Sequence, residues 1–169
     1  MALLNILVYP NEKLKQVSQP VEEFSDDLKK FIEHLVETFR FFPGCVGIAA
    51  PQVGRFERIV LVDISHKSKH VNHGFLVLIN PEITFFEGSS LGREGCLSVP
   101  DFIGKVERAK SITLKALNQK GKKLKFQMSG YEARAVQHEI DHLDGKLFLD
   151  RLVSRRNGLS KRIETLTSL

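Results

Sequence analysis

His138-Glu139-Ile140-Asp141-His142 sets two imidazoles and a carboxylate in a His-Glu-x-x-His pattern. On a helix, residues four apart share a face, so both rings reach one cation while Glu139 stands beside its open coordination position. The chemistry this offers is hydrolysis: a divalent metal held by two histidines, and a carboxylate that handles a proton of water. A catalytic site of this kind needs a third protein ligand and keeps one position open. One zincin class supplies a histidine six residues after the second, but here that position is Phe148, although the accompanying glycine is present as Gly145. A second class takes a glutamate from a later helix, and Glu164 is the one glutamate after the motif. Its neighbours Lys161 and Arg162 make an exposed ion pair the better explanation of it. Cys96 is the other candidate, within Glu94-Gly95-Cys96-Leu97-Ser98-Val99-Pro100. Gly92 and Gly95 let the backbone there approach a neighbour closely, and a coordinated thiol is held as thiolate. A lone loop cysteine is also commonly a buried small apolar side chain, so these residues leave both ligands open.

Positioning such a site requires a helix under the motif and strands around it. Tyr131 to Leu143 has helical spacing, and Gly145 is a natural stop. An earlier helix is expected over Ser25 to Phe42, with Ser25 as N-cap, Asp26 and Asp27 at the positive end, and Leu28, Phe31, Leu35 and Phe39 as an apolar stripe. Leu3 to Tyr9 reads as a first strand, followed by Arg58 to Asp63 and by Phe75 to Asn80, which Asn80-Pro81 closes. Ser111 to Leu117 and Lys122 to Met128 flank a hairpin turn at Asn118-Gln119-Lys120-Gly121. Ser65 to Gly74 carries His66, His70 and His73 without apolar support and is expected as a solvated loop with no metal role. A last helix is expected over about 160–166, with Ile163 and Leu166 buried. The chain reads as a single α+β domain over 1–169, antiparallel or mixed sheets packed around a central helix carrying the motif.

With 25 basic and 20 acidic residues, the net charge of +5 favours polyanions mildly but marks no specific DNA binder. No run of about twenty apolar residues exists, so no membrane-spanning helix is expected. Cys45 and Cys96 are too few for a disulfide scaffold, although oxidation could link them. The short apolar start lacks a basic leader and a cleavage site, which points to the cytoplasm.

Three segments together carry a family resemblance: Cys45-Val46-Gly47-Ile48-Ala49-Ala50-Pro51-Gln52, Glu94-Gly95-Cys96-Leu97-Ser98, and Gln137-His138-Glu139-Ile140-Asp141-His142. In order and separation they resemble the peptide deformylases, with Cys45 standing where the family usually has glycine. The resemblance implies removal of the formyl group from the N-terminal formyl-methionine of nascent polypeptides, most simply in a bacterial cytoplasm. It implies Cys96, His138 and His142 as ligands of one divalent metal, typically ferrous iron in cells, with zinc or nickel accepted. It further implies Glu139 as base and then acid, with the Leu97 backbone N–H and the Gln52 amide meeting the oxyanion. Val46, Gly47 and Gly95 would contact the substrate backbone, while Tyr131, Arg134 and Ala135 would line the methionine pocket. Glu94 and Arg108 would form a supporting ion pair. The basic stretch from Arg151 to Lys161 is a possible ribosome contact, and two other readings stay open: a zinc peptidase using Glu164, or a non-catalytic metal-binding relative.

Overall fold

The computed structural model describes residues 3–67, 69–154 and 156–162. Its first long element, α1 (Asp26–Phe41), starts where Ser25 accepts the Leu28 N–H on its hydroxyl at 3.2 Å, and Asp26 and Asp27 face the positive helix end. Then come β1 (Gly47–Ala49), β2 (Ile59–Val62), β3 (Leu76–Glu87), β4 (Ser90–Cys96), β5 (Val99–Arg108), β6 (Ser111–Leu117) and β7 (Lys123–Ser129). Helix α2 (Gly130–Leu143) carries the motif, and β8 (Leu159–Lys161) follows a short 3-10 turn over Phe148–Arg151. All named strand pairs are antiparallel, in a five-stranded sheet ordered β1-β2-β3-β6-β7 and a three-stranded sheet ordered β4-β5-β8.

Both faces of the larger sheet are covered, which explains why β2 reads Ile-Val-Leu-Val with every residue buried. Val60, Val62, Leu78, Ile112 and Leu114 pack with Ala133, Val136 and Leu143 of α2, while Ile59, Leu61, Val77 and Ile79 pack with Leu28, Ile32, Leu35 and Phe39 of α1. Helix α2 therefore has two buried sides. Ala133, Val136, Ile140 and Leu143 face the large sheet, while Arg134, His138 and Asp141 bond toward β4 and β5. A third cluster, containing Cys96, Val99, Val106, Leu147 and Phe148, fills the space under the small sheet.

Three sequence expectations are corrected. Leu3 to Tyr9 forms no strand; its Leu7 and Tyr9 N–H groups donate instead to Gln52 O at 2.7 Å and Ser98 O at 2.8 Å. Asn80-Pro81 does not close a strand. Asn80 sits at φ 51 in a bulge that β3 runs straight through, its side chain bonded to the Val21 backbone at 2.8 and 2.9 Å, and a bulge tolerates the missing N–H of Pro81. The histidine loop is solvated as expected, and buried Glu132 ties down its end by accepting both the His73 N–H and the His73 Nδ1 side at 2.7 and 2.6 Å. Finally, Ser160 and Lys161 belong to a strand because the free edge of β5 takes their backbone at Ile103 and Phe102, and the Arg162 N–H donates to Asp101 O at 2.9 Å; residues 163–166 of the expected helix, including Glu164, lie outside the described residues.

Candidate metal centre and active site

The ligand atoms of Cys96, His138 and His142 lie within 4.8 Å of one another, and all three residues are buried. Cys96 ends β4, whereas the histidines stand one turn apart on α2, so the two sheets' junction brings the donors together. Cys96 Sγ is 3.4 Å from His142 Nε2, close to the separation expected around a tetrahedral ion with metal–sulfur and metal–nitrogen bonds of about 2.3 and 2.1 Å. His138 Nδ1 meets Glu94 Oε1 at 2.8 Å, which fixes the ring and turns Nε2 inward. Phe148, which excludes the three-histidine zincin arrangement, stacks on His138 with ring centroids 6.3 Å apart and walls the site with apolar surface.

Glu139 is 3 % exposed, and its Oε1 is buried with no hydrogen-bond partner among the described residues. An orphaned carboxylate oxygen beside three soft and borderline donors fits a site built for a metal and its water. Burial pushes the Glu139 carboxyl up to about 7, against the neighbouring His138 charge and helped by Glu94. A Cβ on Gly47 would fall 2.5 Å from Glu139 Oε2, so only glycine lets β1 pass this carboxylate at this distance. Burial opposes charge on both imidazoles. At His138 the Glu139 charge and the hydrogen bonds to Cys96 and Glu94 outweigh it and hold the ring well above the ordinary histidine range, while at His142 the His138 charge adds to burial and holds it well below.

Gln52 is buried rather than a surface loop residue. Its Oε1 accepts the Ala49 N–H at 2.9 Å, and its Nε2 points at Cys96 Sγ, 3.4 Å away, and Ser98 Oγ, 3.1 Å away. Leu97 and Ser98 make the turn from β4 into β5, which sets the Leu97 backbone next to the ligand cysteine. Val46 already gives its carbonyl to the Asp63 N–H at 2.9 Å, and Gly47 pairs with Val62, leaving β1 as an edge of the large sheet. Gly95 lies against the Arg162 guanidinium.

Ala135 is buried in the core one turn before Glu139, and Tyr131 stacks on His70 with centroids 5.1 Å apart. The Arg134 head does not line an apolar slot. It donates to Glu94 Oε2 at 2.8 Å, Val106 O at 3.0 Å and Ser90 O at 2.6 Å, and it fills the space beside Gly92. Sequence reasoning missed this role, as it missed the extension of the Glu94–Arg108 pair. Arg108 clamps both Glu94 oxygens at 2.9 Å and reaches Asp141 at 2.6 Å, and Asp141 in turn pairs with Arg151. The available signal was Asp141 itself, three residues after His138 and therefore on the same helix side. Cys45 and Cys96 are both free thiols, with Cys45 Sγ donating to Gly47 O at 3.2 Å rather than linking to Cys96.

The site and fold define a metal-dependent hydrolase on an α+β scaffold, with Cys96, His138 and His142 as a candidate metal site. The family model of the polypeptide deformylases matches residues 3–158, and the chain belongs to that family. It is 42% identical to a peptide deformylase of Thermodesulfovibrio yellowstonii over 96% of both chains, and 43% identical to one of Alkalilimnicola ehrlichii over 98% of this chain and 92% of that one. The crystal structure of a peptide deformylase from Legionella pneumophila superposes with TM-score 0.83 at 40% identity, covering 92% of this chain and 88% of that one. A class I type b peptide deformylase from Acinetobacter baumannii, solved with Met-Ala-Ser bound, gives TM-score 0.83 at 36% identity over 90% of this chain and 100% of that chain. The activity of this family is hydrolytic removal of the N-formyl group from nascent peptides, and it is this chain's activity. No described helix is long and apolar enough to cross a membrane.

Proposed function

We propose that Cys96, His138 and His142 hold one divalent ion, ferrous iron in the cell, and that Glu139, Gln52 and the Leu97 N–H divide the chemistry of deformylation around it. The observation that carries this reading is the placement of a buried, unpartnered Glu139 oxygen beside a cysteine–histidine–histidine donor set. Bound there, the metal supplies Lewis acidity and a water that is easily deprotonated near neutral pH. Zinc or nickel suits the same donors, since ligand type does not fix the metal.

Glu139 takes a proton from the attacking water, and a carboxyl near 7 is matched to returning it to the departing amine at neutral pH. The Gln52 Nε2 and the Leu97 N–H, on loops from opposite sheets, donate to the formyl oxygen as it gains charge. Leu7 and Tyr9 brace both loops by their backbone bonds to Gln52 and Ser98. The free edge of β1 at Val46 and Gly47, with Gly95 of β4, takes the peptide backbone as an added strand. The methionine side chain goes to the wall formed by Tyr131 and Ala135, with the Arg134 stem behind. Phe148 keeps bulk water from the His138 side. Its bacterial relatives and this substrate support a location in a bacterial cytoplasm. Of the basic C-terminal stretch proposed for ribosome contact, Arg151 is committed to Asp141, which leaves Arg156 and Lys161 exposed.

The test is formate release from formyl-Met-Ala-Ser by anaerobically purified, metal-analysed protein. Glu139→Gln should retain stoichiometric metal yet lose about 10²- to 10⁴-fold in rate, the usual contribution of a general base. An unchanged rate removes Glu139 from the mechanism. Loss of metal in Glu164→Gln but not in Cys96→Ser would replace the deformylase centre by a glutamate-ligated peptidase.

A further inference from the structure

We infer that the β6–β7 hairpin, at the sheet edge farthest from the active site, is a docking surface for the phosphates of folded RNA. From Arg108 to Tyr131 the sequence contains seven basic residues and no acidic one, whereas the rest of the chain, with 18 basic and 20 acidic residues, is net negative. Arg108 belongs to the buried network, but Lys110, Lys115, Lys120, Lys122, Lys123 and Lys125 are all exposed. Among the described residues none of these six is ion-paired. The chain's positive excess is thus concentrated on one hairpin.

The fold does not need these charges. Lys115 stands directly opposite Lys125, an arrangement that repels across the ladder, and Glu82, opposite Lys115 on β3, makes no ion pair with it. Leu114, Ala116, Leu124 and Phe126 turn to the core, so Lys115, Lys123 and Lys125 share the other face. Asn118 Oδ1 accepts the Lys120 and Lys122 N–H groups at 2.9 and 3.0 Å, a turn that holds two more ammonium stems at the tip.

The composition of the patch selects the partner. Protein interfaces are poor in lysine and depend on aromatic or arginine anchors, yet no exposed large apolar side chain lies between Ser111 and Ser129. Lysines on flexible stems bind phosphates as point charges and carry no base readout. β7 and β1 are opposite edges of the same sheet, so an RNA held at β7 leaves the β1 edge open to peptide. This surface goes beyond the deformylase reading and does not depend on it.

Binding of the full chain to a fluorescein-labelled RNA duplex, followed by anisotropy across a salt series, tests the proposal. Affinity should fall with salt with a log–log slope of about one per phosphate contacted. The variant Lys115→Gln/Lys122→Gln/Lys123→Gln/Lys125→Gln should weaken low-salt binding by at least about tenfold and flatten the slope by about one per contact removed. Its formate release and thermal midpoint should not fall, which shows that it folds. The matched control Lys13→Gln/Lys15→Gln/Lys29→Gln/Lys30→Gln should bind RNA as the unmodified chain does. Equal weakening by both variants, absence of RNA binding, or stronger competition by a polyglutamate peptide than by unlabelled RNA would each overturn the assignment.

Discussion

Arg134 shows how a single side chain joins the catalytic helix to the strand beside it. One guanidinium satisfies Glu94 Oε2, Val106 O and Ser90 O together, and Gly92 is glycine where that head needs room. It is a positioning residue: it acts on His138 through Glu94 and touches no reacting atom. Arg134→Met should cost on the order of 3 kcal/mol in urea unfolding, the range for removing one partner of a buried ion pair. Arg134→Lys should recover little of this, because an ammonium lacks the planar fork that spans three acceptors. A lysine variant as stable as the original chain would show that charge alone suffices. Cys45 contrasts with it. Burial, with the Glu139 charge beside it, pushes its thiol up to about 12, so at neutral pH it remains a protonated apolar filler near β1.

At the scale of elements, α2 explains both what the sequence discloses and what it hides. The spacing His138–His142 and the stop at Gly145 were legible because helix geometry is local; Gly145 sits at φ 73 with Lys15 O packed against it. The Ser25 cap and the β6–β7 hairpin were legible for the same reason. What was not legible depends on partners remote in sequence. β4 reads Ser-Leu-Gly-Arg-Glu-Gly-Cys: its burial alternates as in any half-buried strand, but the inward positions carry Ser90, Gly92, Glu94 and Cys96, which face Arg134, Arg108 and the candidate metal site, so no apolar alternation marks it in the sequence. β8 is a strand only because the β5 edge offers hydrogen bonds. Of the site, motif resemblance pointed to Cys96, His138 and His142, which the fold brings together as a candidate metal site, whereas the Arg134 clamp and the Asp141–Arg151 extension needed coordinates. Helix α1 supplies a local check, being far from the chemistry. Ser25→Ala removes the Leu28 cap and should cost about 1 kcal/mol by urea unfolding with unchanged kcat/KM. A loss of activity would mean that α1 transmits strain to the site through the Ile48 side of the sheet.

At the scale of the whole molecule, Glu94 is where the small sheet, the helix and the metal centre meet. It bonds Arg108 on β5, Arg134 and His138 on α2, and through Arg108 it reaches Asp141 and Arg151. Burial works against its charge, but the Arg108 hydrogen bonds, followed by those and the charge of His138, win and hold its carboxyl well below the usual range. In the unfolded chain the same group titrates near about 4.3. Its folded value is lower, so ionised Glu94 stabilises the fold at all pH above about 4.3, and this contribution is lost progressively as pH falls below that value toward the folded one. The original chain should therefore lose stability steeply below about pH 4.3, whereas Glu94→Gln should be less stable at pH 7, by roughly 3 kcal/mol, and show a flatter acid limb. Urea midpoints at a series of pH values for the two chains decide this. Parallel acid limbs would place the pH dependence in other carboxylates and leave Glu94 as a geometric brace for His138 alone. In that case metal affinity at neutral pH, and not acid stability, would be the property that Glu94→Gln changes.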